Sequence, residues 1–221
     1  MNIRLGTNDD SASVILAPEK ALFWQEERVL ALSDVHLGKA ESLQALGINI
    51  PSGEHREDLK RLERLVERFE PLQVLILGDW IHNPKSWTLP LQKDLMLFFE
   101  RHAGTKWTLL LGNHERGSKK YLDLLPIELL EGDWIRGPFA FTHGHERPRT
   151  SHFQIQGHVH PVIKMRHGPT QVRLPCFAQS KSTLILPSFG GLTGGYEVDP
   201  REFLQIYACT PTSILPLKQG A

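Results

Sequence analysis

The chain has 221 residues, 40% hydrophobic and 23% charged, with 25 lysines and arginines against 25 aspartates and glutamates. That composition excludes disorder, collagen and a coiled coil, and a formal charge of +0 excludes attachment to nucleic acid through bulk positive charge. The length predicts a single domain over residues 1–221, burying roughly 70% of the surface its unfolded form exposes.

Short runs of Val, Ile, Leu and aromatics, bounded by Gly, Asn, Asp and Pro, predict strands at Ser13–Leu16, Ala21–Trp24 and Val29–Leu32. A helix is predicted over Lys39–Leu46. The next, Gly53–Glu70, places Leu59, Leu62, Leu65, Val66 and Phe69 on one stripe, with Glu57 and Arg61 spaced for an i,i+4 pair. Its basic and acidic residues interleave, which marks a solvated face rather than a DNA-binding stripe. A strand at Val74–Leu77, a helix at Leu89–Arg101 and a strand at Trp107–Leu111 follow. After Phe139 the pattern is nearly all strand: Phe139–Thr142, Phe153–Gln156, Val162–Met165, Gln171–Leu174, Thr183–Leu186 and Phe203–Ala208. Early alternation followed by a strand-rich second half predicts a layered α/β protein with more than one sheet.

No stretch approaches the ~20 apolar residues of a membrane helix. The opening MNIRLGTNDD lacks the apolar core of a secretory signal, so the expected location is the cytoplasm. Cys176 and Cys209 form no CxxC and are expected as two buried free thiols.

Histidine is the informative count, at 11. Five apolar runs lead straight into turns bearing metal-ligand residues: Ser33-Asp34-Val35-His36, Gly78-Asp79, Gly112-Asn113-His114-Glu115, Thr142-His143-Gly144-His145 and Gly157-His158-Val159-His160. In α/β proteins, sites gather outside the carboxyl ends of strands. Three of the five turns place Gly immediately before the ligand, where the chain must bend sharply. Two carboxylates, one amide oxygen and four imidazoles, with no thiolate, suit Mn²⁺, Fe, Zn²⁺ or Co²⁺. Seven ligands exceed one tetrahedral zinc and suit two ions sharing a carboxylate, the usual arrangement for phosphate-ester hydrolysis. Two such ions outweigh Asp34, Asp79 and a hydroxide, leaving a cationic site that attracts phosphate.

The order DxH, GD, GNH, H, GHxH closely resembles the calcineurin-like metallophosphoesterase superfamily. The resemblance implies two central β-sheets flanked by helices, a four-layer α/β/β/α sandwich. It implies one metal held by Asp34, His36, Asp79 and His160, a second held by Asp79, Asn113, His143 and His158, and His114 as the catalytic histidine near the leaving group. More narrowly, Ser33-Asp34-Val35-His36-Leu37-Gly38-Lys39-Ala40, Gly157-His158-Val159-His160-Pro161 and Pro187-Ser188-Phe189-Gly190 resemble the bacterial DNA-ligase-associated metallophosphoesterases. That group implies a manganese-dependent DNA-repair endonuclease acting on single-stranded or frayed DNA, alongside ligase, helicase and exonuclease partners. Two departures from the common pattern stand out: Glu115 where Asp is common, and Trp80 after the bridging ligand.

Other features are weighed against plainer roles. His55, His102, His152 and His167 lie outside the strand-end turns and are expected to be structural, whereas His82 and His145 are expected beside the site. Gly190–Gly195 lacks a Walker ending and is expected to be a tight loop. Trp80 is the stacking candidate among Trp80, Trp87, Trp107 and Trp134, with Trp107 expected in the core. Lys39, Arg116 and Arg147 are expected to form a local basic rim, and His145 is a separate substrate-contact candidate. The rival readings are small nucleotides, RNA or phosphoproteins as substrate, and a catalytically dead interaction scaffold, against which stands the complete ligand set.

Overall fold

A computed structural model describes residues 1–7, 10–51, 53–146, 150–168 and 170–217. Seven strands form the first sheet: β1 (Asn2–Gly6), β2 (Ser11–Ala17), β3 (Ala21–Trp24), β4 (Val29–Leu32), β5 (Gln73–Ile76), β6 (Lys106–Leu110) and β7 (Glu128–Leu130), in that spatial order. Pairing is antiparallel from β1 to β4 and parallel from β4 to β7. The parallel half requires crossovers. These carry α1 (Lys39–Ala45) and α2 (His55–Phe69) between β4 and β5, α3 (Leu89–Arg101) between β5 and β6, and the short α4 (Lys119–Leu122) between β6 and β7.

The second sheet has nine strands: β8 (Trp134–Arg136), β9 (Phe139–Thr142), β10 (Phe153–Gln156), β11 (Pro161–His167), β12 (Thr170–Gln179), β13 (Thr183–Ile185), β14 (Tyr196–Glu197), β15 (Gln205–Cys209) and β16 (Ile214–Leu217). Its main path runs β14-β11-β12-β13-β10-β9-β8, with β15 and β16 branching from β12. Pairing of β9 with β10, and of β10 with β13, is parallel.

Alternation along the strands builds the layers. In β4, Val29 and Ala31 face the second sheet while Leu30 and Leu32 face the helices; in β5, Leu75 and Val74 divide likewise. Between the sheets, Leu22, Trp24, Leu75, Leu77 and Leu110 meet Phe139, Phe141, Phe153, Ile155 and Phe177. On the outer face of the first sheet, Leu59, Leu62, Leu65 and Val66 of α2 and Leu91, Leu95, Phe98 and Phe99 of α3 are buried. Phe69 completes the predicted α2 stripe by stacking on Phe23 at 4.6 Å. The chain is therefore the expected two-sheet sandwich flanked by helices, and the flank is one-sided. Among the described residues, all four α-helices precede residue 123. The outer face of the second sheet is closed by Val198, Phe203 and strand residues such as Ile163, Ala178 and Ile206. No helix of the described residues is long and apolar enough to cross a membrane.

Four strands and α3 form with the predicted bounds, and Cys176 and Cys209 are buried free thiols. The expected Glu57–Arg61 pair is replaced by Lys60–Glu57 at 2.8 Å and Arg61–Asp58 at 2.7 Å. The reason is tertiary: Arg61 turns inward, donates to the Phe189 carbonyl and lies 4.2 Å over the Phe189 ring. The strand expected at Gln171–Leu174 continues through Pro175 to Gln179. Pro175 sits where β12 hands over from β11 to β15, a position that tolerates a missing N–H.

Candidate metal centre

The carboxyl ends of the parallel strands β4, β5 and β6 point the same way, and the ends of β9 and β10 meet them across the sandwich. Backbone hydrogen bonds lock the turns together: Asp34 N–H to Gly78 O (3.2 Å), His36 N–H to Asp79 O (2.9 Å), Leu37 N–H to Trp80 O (2.8 Å) and Gly157 N–H to His143 O (3.2 Å). Two of the glycines are there for room. A Cβ on Gly157 would fall 1.6 Å from Ser33 Oγ, and one on Gly112 would fall 2.4 Å from Asp79 Oδ1.

Backbone conformation sets this region apart. Among the described residues, eight non-glycines have positive φ, and five of them are Asp34 (56°), His36 (51°), Asp79 (53°), His158 (68°) and His160 (53°). A side chain in left-handed backbone costs roughly 1–2 kcal/mol. Surrounding structure holds these residues there so that their side chains converge.

Two groups result. Asp34, His36 and His160 offer ligand atoms within 4.8 Å of one another, and so do Asp79, His143 and His158. Asp34 Oδ2 accepts from Ser33 Oγ (2.6 Å) and His158 N–H (2.9 Å). Its Oδ1 is buried without a hydrogen bond, 3.1 Å from a His160 Nε2 that likewise has none. Asp79 spans both groups, with Oδ1 3.6 Å from His143 Nε2 and Oδ2 3.7 Å from His36 Nε2.

The donor set fits cations on a second ground. His143 Nδ1 donates to the Leu77 carbonyl at 2.7 Å, so in the neutral ring Nε2 carries a lone pair. That lone pair faces Asn113 Oδ1 at 3.1 Å, His158 Nδ1 at 3.2 Å and Asp79 Oδ1 at 3.6 Å. His158 Nδ1 meets that lone pair favourably only in the tautomer that carries its proton there, whereas the two oxygens are acceptors, and a cation among the four atoms satisfies them together. Burial pushes His36 down to about 3 against the pull of Asp34, and burial together with His143 pushes His158 down, so both rings favour the neutral form that a metal ion requires. For Asp34, burial pushes the carboxyl up, but His160, His143 and Ser33 outweigh it and hold the group below the ordinary range.

His114 lies at the edge of the cage, partly exposed. Its Nδ1 donates to the His82 carbonyl at 2.6 Å, its N–H to Asp79 Oδ1 at 3.1 Å, and its Nε2 is 3.8 Å from Asp79 Oδ2. His82 stacks on His114 at 5.5 Å and shares a third cluster with it and His36. His145 is 5.1 Å from His143, and Lys39, at the start of α1, lowers the proton affinity of His36 and His82 through its charge. His82, His145 and Lys39 thus lie beside the centre, as expected.

Trp80 does not. It is fully buried on the helix side of the first sheet, 6.5 Å from the Phe99 ring, so no face remains for a base. The turn decides this: β5 ends at Ile76, and the left-handed Gly78 and Asp79 that follow aim Asp79 into the cage and the next side chain at the helices. Arg116 belongs to a short 3₁₀ turn, Glu115–Gly117, and its side chain lies outside what the structure describes; Arg147 lies outside the described residues. The glycine loop is structural at its start, where Gly190 N–H donates to Asp34 O at 3.1 Å and Gly191 N–H to the Asp58 carboxylate at 3.2 Å.

Glu115 has a role that its place in the motif does not reveal. Its buried carboxylate accepts three backbone N–H groups: Asp79 (3.0 Å) and Gly112 (2.9 Å) on Oε2, and Trp80 (2.6 Å) on Oε1. It ties the turn after β5 to the turn after β6. Burial and the Asp79 charge raise it to about 7, opposed by those donors. Ser188 serves similarly, donating Oγ to the Asp34 carbonyl at 2.7 Å.

A family model described as calcineurin-like phosphoesterase matches residues 27–207. The chain belongs to the calcineurin-like phosphoesterase family. It is thus a metal-dependent phosphoesterase, and the family implies divalent metal ions where the two Asp/His groups converge. The chain is also similar to the crystal structure of the Pseudomonas putida nuclease MPE, with 30% identity, a TM-score of 0.83, and 98% of this chain and 100% of that one covered. A phosphoesterase from E. coli, Yfce, matches at 14% identity and a TM-score of 0.45, over 86% of this chain and 97% of that one. Among curated protein sequences, none matches.

Proposed function

We propose that the protein is a manganese-dependent DNA endonuclease that cuts single-stranded or frayed DNA. The observation that carries a nucleic-acid substrate is the likeness to a nuclease across 98% of the chain, and the resemblance of three sequence runs to the DNA-ligase-associated group supports DNA. The donor set supports the metal, since imidazoles and carboxylates without thiolate suit a hard or borderline ion such as Mn²⁺.

In this reading Asp34, His36, Asp79 and His160 hold one ion, and Asp79, Asn113, His143 and His158 the other. Asp79 is shared because its two oxygens face different imidazoles. When bound, two such ions supply charge at the phosphoryl oxygens and lower the pKa of water. The chain's own residues position and transfer protons. The His82 carbonyl keeps a proton on His114 Nδ1, so the proton His114 can give sits on Nε2, toward Asp79 and the cage. From there the imidazolium protonates the departing sugar oxygen. His143 is oriented by the Leu77 carbonyl, and Glu115 keeps Asp79 and Asn113 in register. The proposed setting is cytoplasmic DNA repair with a ligase, a helicase and an exonuclease, supported by the resemblance of the Ser33–Ala40, Gly157–Pro161 and Pro187–Gly190 runs.

The deciding experiment is incubation with circular single-stranded DNA, with and without Mn²⁺, beside RNA, 2′,3′-cyclic nucleotides and phosphopeptides. Linear product from the circle, dependent on Mn²⁺, is expected. An intact circle with turnover of another substrate would replace the reading.

A further inference from the structure

The two Asp/His groups are backed by different parts of the chain. Glu115 braces the turns that carry Asp79 and Asn113. Asp34 and His160 are braced instead by the loop that follows β13. Phe189 N–H donates to the Ser33 carbonyl at 2.8 Å, and Gly190 N–H and Ser188 Oγ donate to the Asp34 carbonyl at 3.1 and 2.7 Å. Tyr196 N–H donates to the His160 carbonyl at 2.9 Å. The loop lies so close to the Asp34–His36 turn that a Cβ on Gly190 would fall 2.2 Å from Val35 O. Asp34, at φ 56°, is therefore pinned on both sides: its N–H by Gly78 O and its carbonyl by this loop.

Behind the loop stand three charges that the proposed chemistry does not use. Arg61, on α2, donates to the Phe189 carbonyl and to Asp58 Oδ1 (2.7 Å), with its guanidinium 4.2 Å from the centre of the Phe189 ring. The Asp58 carboxylate accepts Gly191 N–H at 3.2 Å. Lys20, in the turn between β2 and β3, donates to the Gly190 carbonyl at 3.2 Å. Asp58 is buried and the two cations are part-buried. Burial, then the Arg61 charge, pulls Lys20 down to about 8, opposed chiefly by Asp58. Holding two cations and a carboxylate out of water is a poor source of stability, because desolvation offsets the attraction. What the triad does supply is fixed geometry: each member bonds a main-chain group in one of three consecutive residues, Phe189, Gly190 and Gly191.

We propose that Arg61, Asp58 and Lys20 are positioning residues for the metal group of Asp34, His36 and His160, acting through the 188–191 loop. This rests on the two-metal reading. The effect is one-sided, because Asp79 and His143 take their bonds from Glu115 and the Leu77 carbonyl. Partners that orient a metal ligand are worth 10–100-fold in metal affinity as a rule, so the triad should tune one ion and spare the other.

The test follows Mn²⁺ binding rather than turnover, from the EPR signal of the free ion during titration, with melting by circular dichroism alongside. Ser188→Ala cuts the loop's side-chain bond to Asp34, Arg61→Met cuts the strap behind the loop, and the double variant does both. Each single variant is expected to weaken one of two binding steps on the order of 10-fold and the other by about 3-fold or less. The double variant should lose little more than the larger single loss, because one linkage can be cut only once. A loss on the order of 100-fold would mean independent effects and overturn the loop as the path. In a His143→Ala background, which keeps the first group's side chains, the Ser188→Ala loss should persist; its disappearance would assign the effect to the other ion and overturn the proposal. Equal weakening of both steps, or a lower melting temperature with both affinities unchanged, would leave the triad a merely structural role and overturn it too. Should Arg61→Met fail to fold, Arg61→Lys, which keeps the charge but loses the planar fork, takes its place. If the wild type takes up a single ion, the two-metal reading fails, and the triad is judged by whether Ser188→Ala weakens that ion. If the wild type takes up none, both fall.

Discussion

The cage and its rim hold their functional side chains by different means. In the cage, position is set by the main chain: five of the converging Asp and His residues sit in left-handed backbone, turns are laced to one another by N–H···O bonds, and Glu115 clamps two of them through three amides. At the rim, Lys39 and Tyr121 lie in short helices and His82 and Trp87 on either side of a 3₁₀ turn, all in ordinary backbone, with ring stacking holding His82 and Trp87. A cage held by backbone should act on every substrate alike. A rim held by side chains should matter in proportion to how much of the substrate reaches it.

Substitutions can break that contrast. The largest effect is expected from Asp79→Ala, which removes oxygens facing both metal groups. Turnover of DNA and of an aryl diester should fall together, on the order of 10⁴-fold, with loss of bound Mn²⁺ by elemental analysis. Retained turnover with one metal per chain would remove the shared-ligand assignment. His114 stands between the two regions and should separate the substrates. His114→Ala is expected to cost on the order of 10²–10³-fold on DNA, where a deoxyribose alkoxide must be protonated, and under 10-fold on an aryl diester with a good leaving group. Equal losses on both would remove the proton-transfer role.

The smallest effect concerns stability. Behind Lys39, burial with the neighbouring Asp58 and Glu41 raises Glu54 to about 7, opposed by Arg61 and Lys39. A raised folded-state carboxyl favours the folded state below its unfolded value, near 4.5, and that contribution is lost as pH rises through about 7. Glu54→Gln should therefore raise the melting temperature at pH 8 by on the order of 2 °C relative to its effect at pH 5. The residue is part-exposed, so solvent moderates the effect. A larger gain at pH 5 would reverse the argument.

The same contrast explains what was legible in the sequence. The seven cage residues follow apolar runs at fixed offsets, and a run that becomes a strand carries its turn to the sheet's end, so Asp34, Asp79, Asn113, His143 and His158 can be gathered before any coordinates exist. The α2 stripe was readable for the same reason of periodicity. Trp80 lies beyond the end of β5, past the left-handed Gly78 and Asp79, so no alternation along the apolar run says which face it takes. Glu115 was visible as a departure from the usual Asp; its three backbone donors come from two other turns and leave no local mark. Short edge strands such as β1, with only Leu5 buried, carry too little alternation to be found. Trp87 meets Tyr121 through a crossover of more than thirty residues, beyond the reach of any local pattern.

The left-handed residues of the cage carry a cost of their own. Glycine would occupy φ values near 50–70° with less strain than aspartate or histidine, so at five points this chain retains the less comfortable residue. Exchange for glycine would relieve that strain, yet at Asp34 and Asp79 it would also strip the acceptors from Ser33, His158 and His114, so the two effects oppose each other. Lys20, Arg28 and Glu70 share that backbone at separate turns; what distinguishes the other five is that their torsions bring charge and imidazole to one end of both sheets.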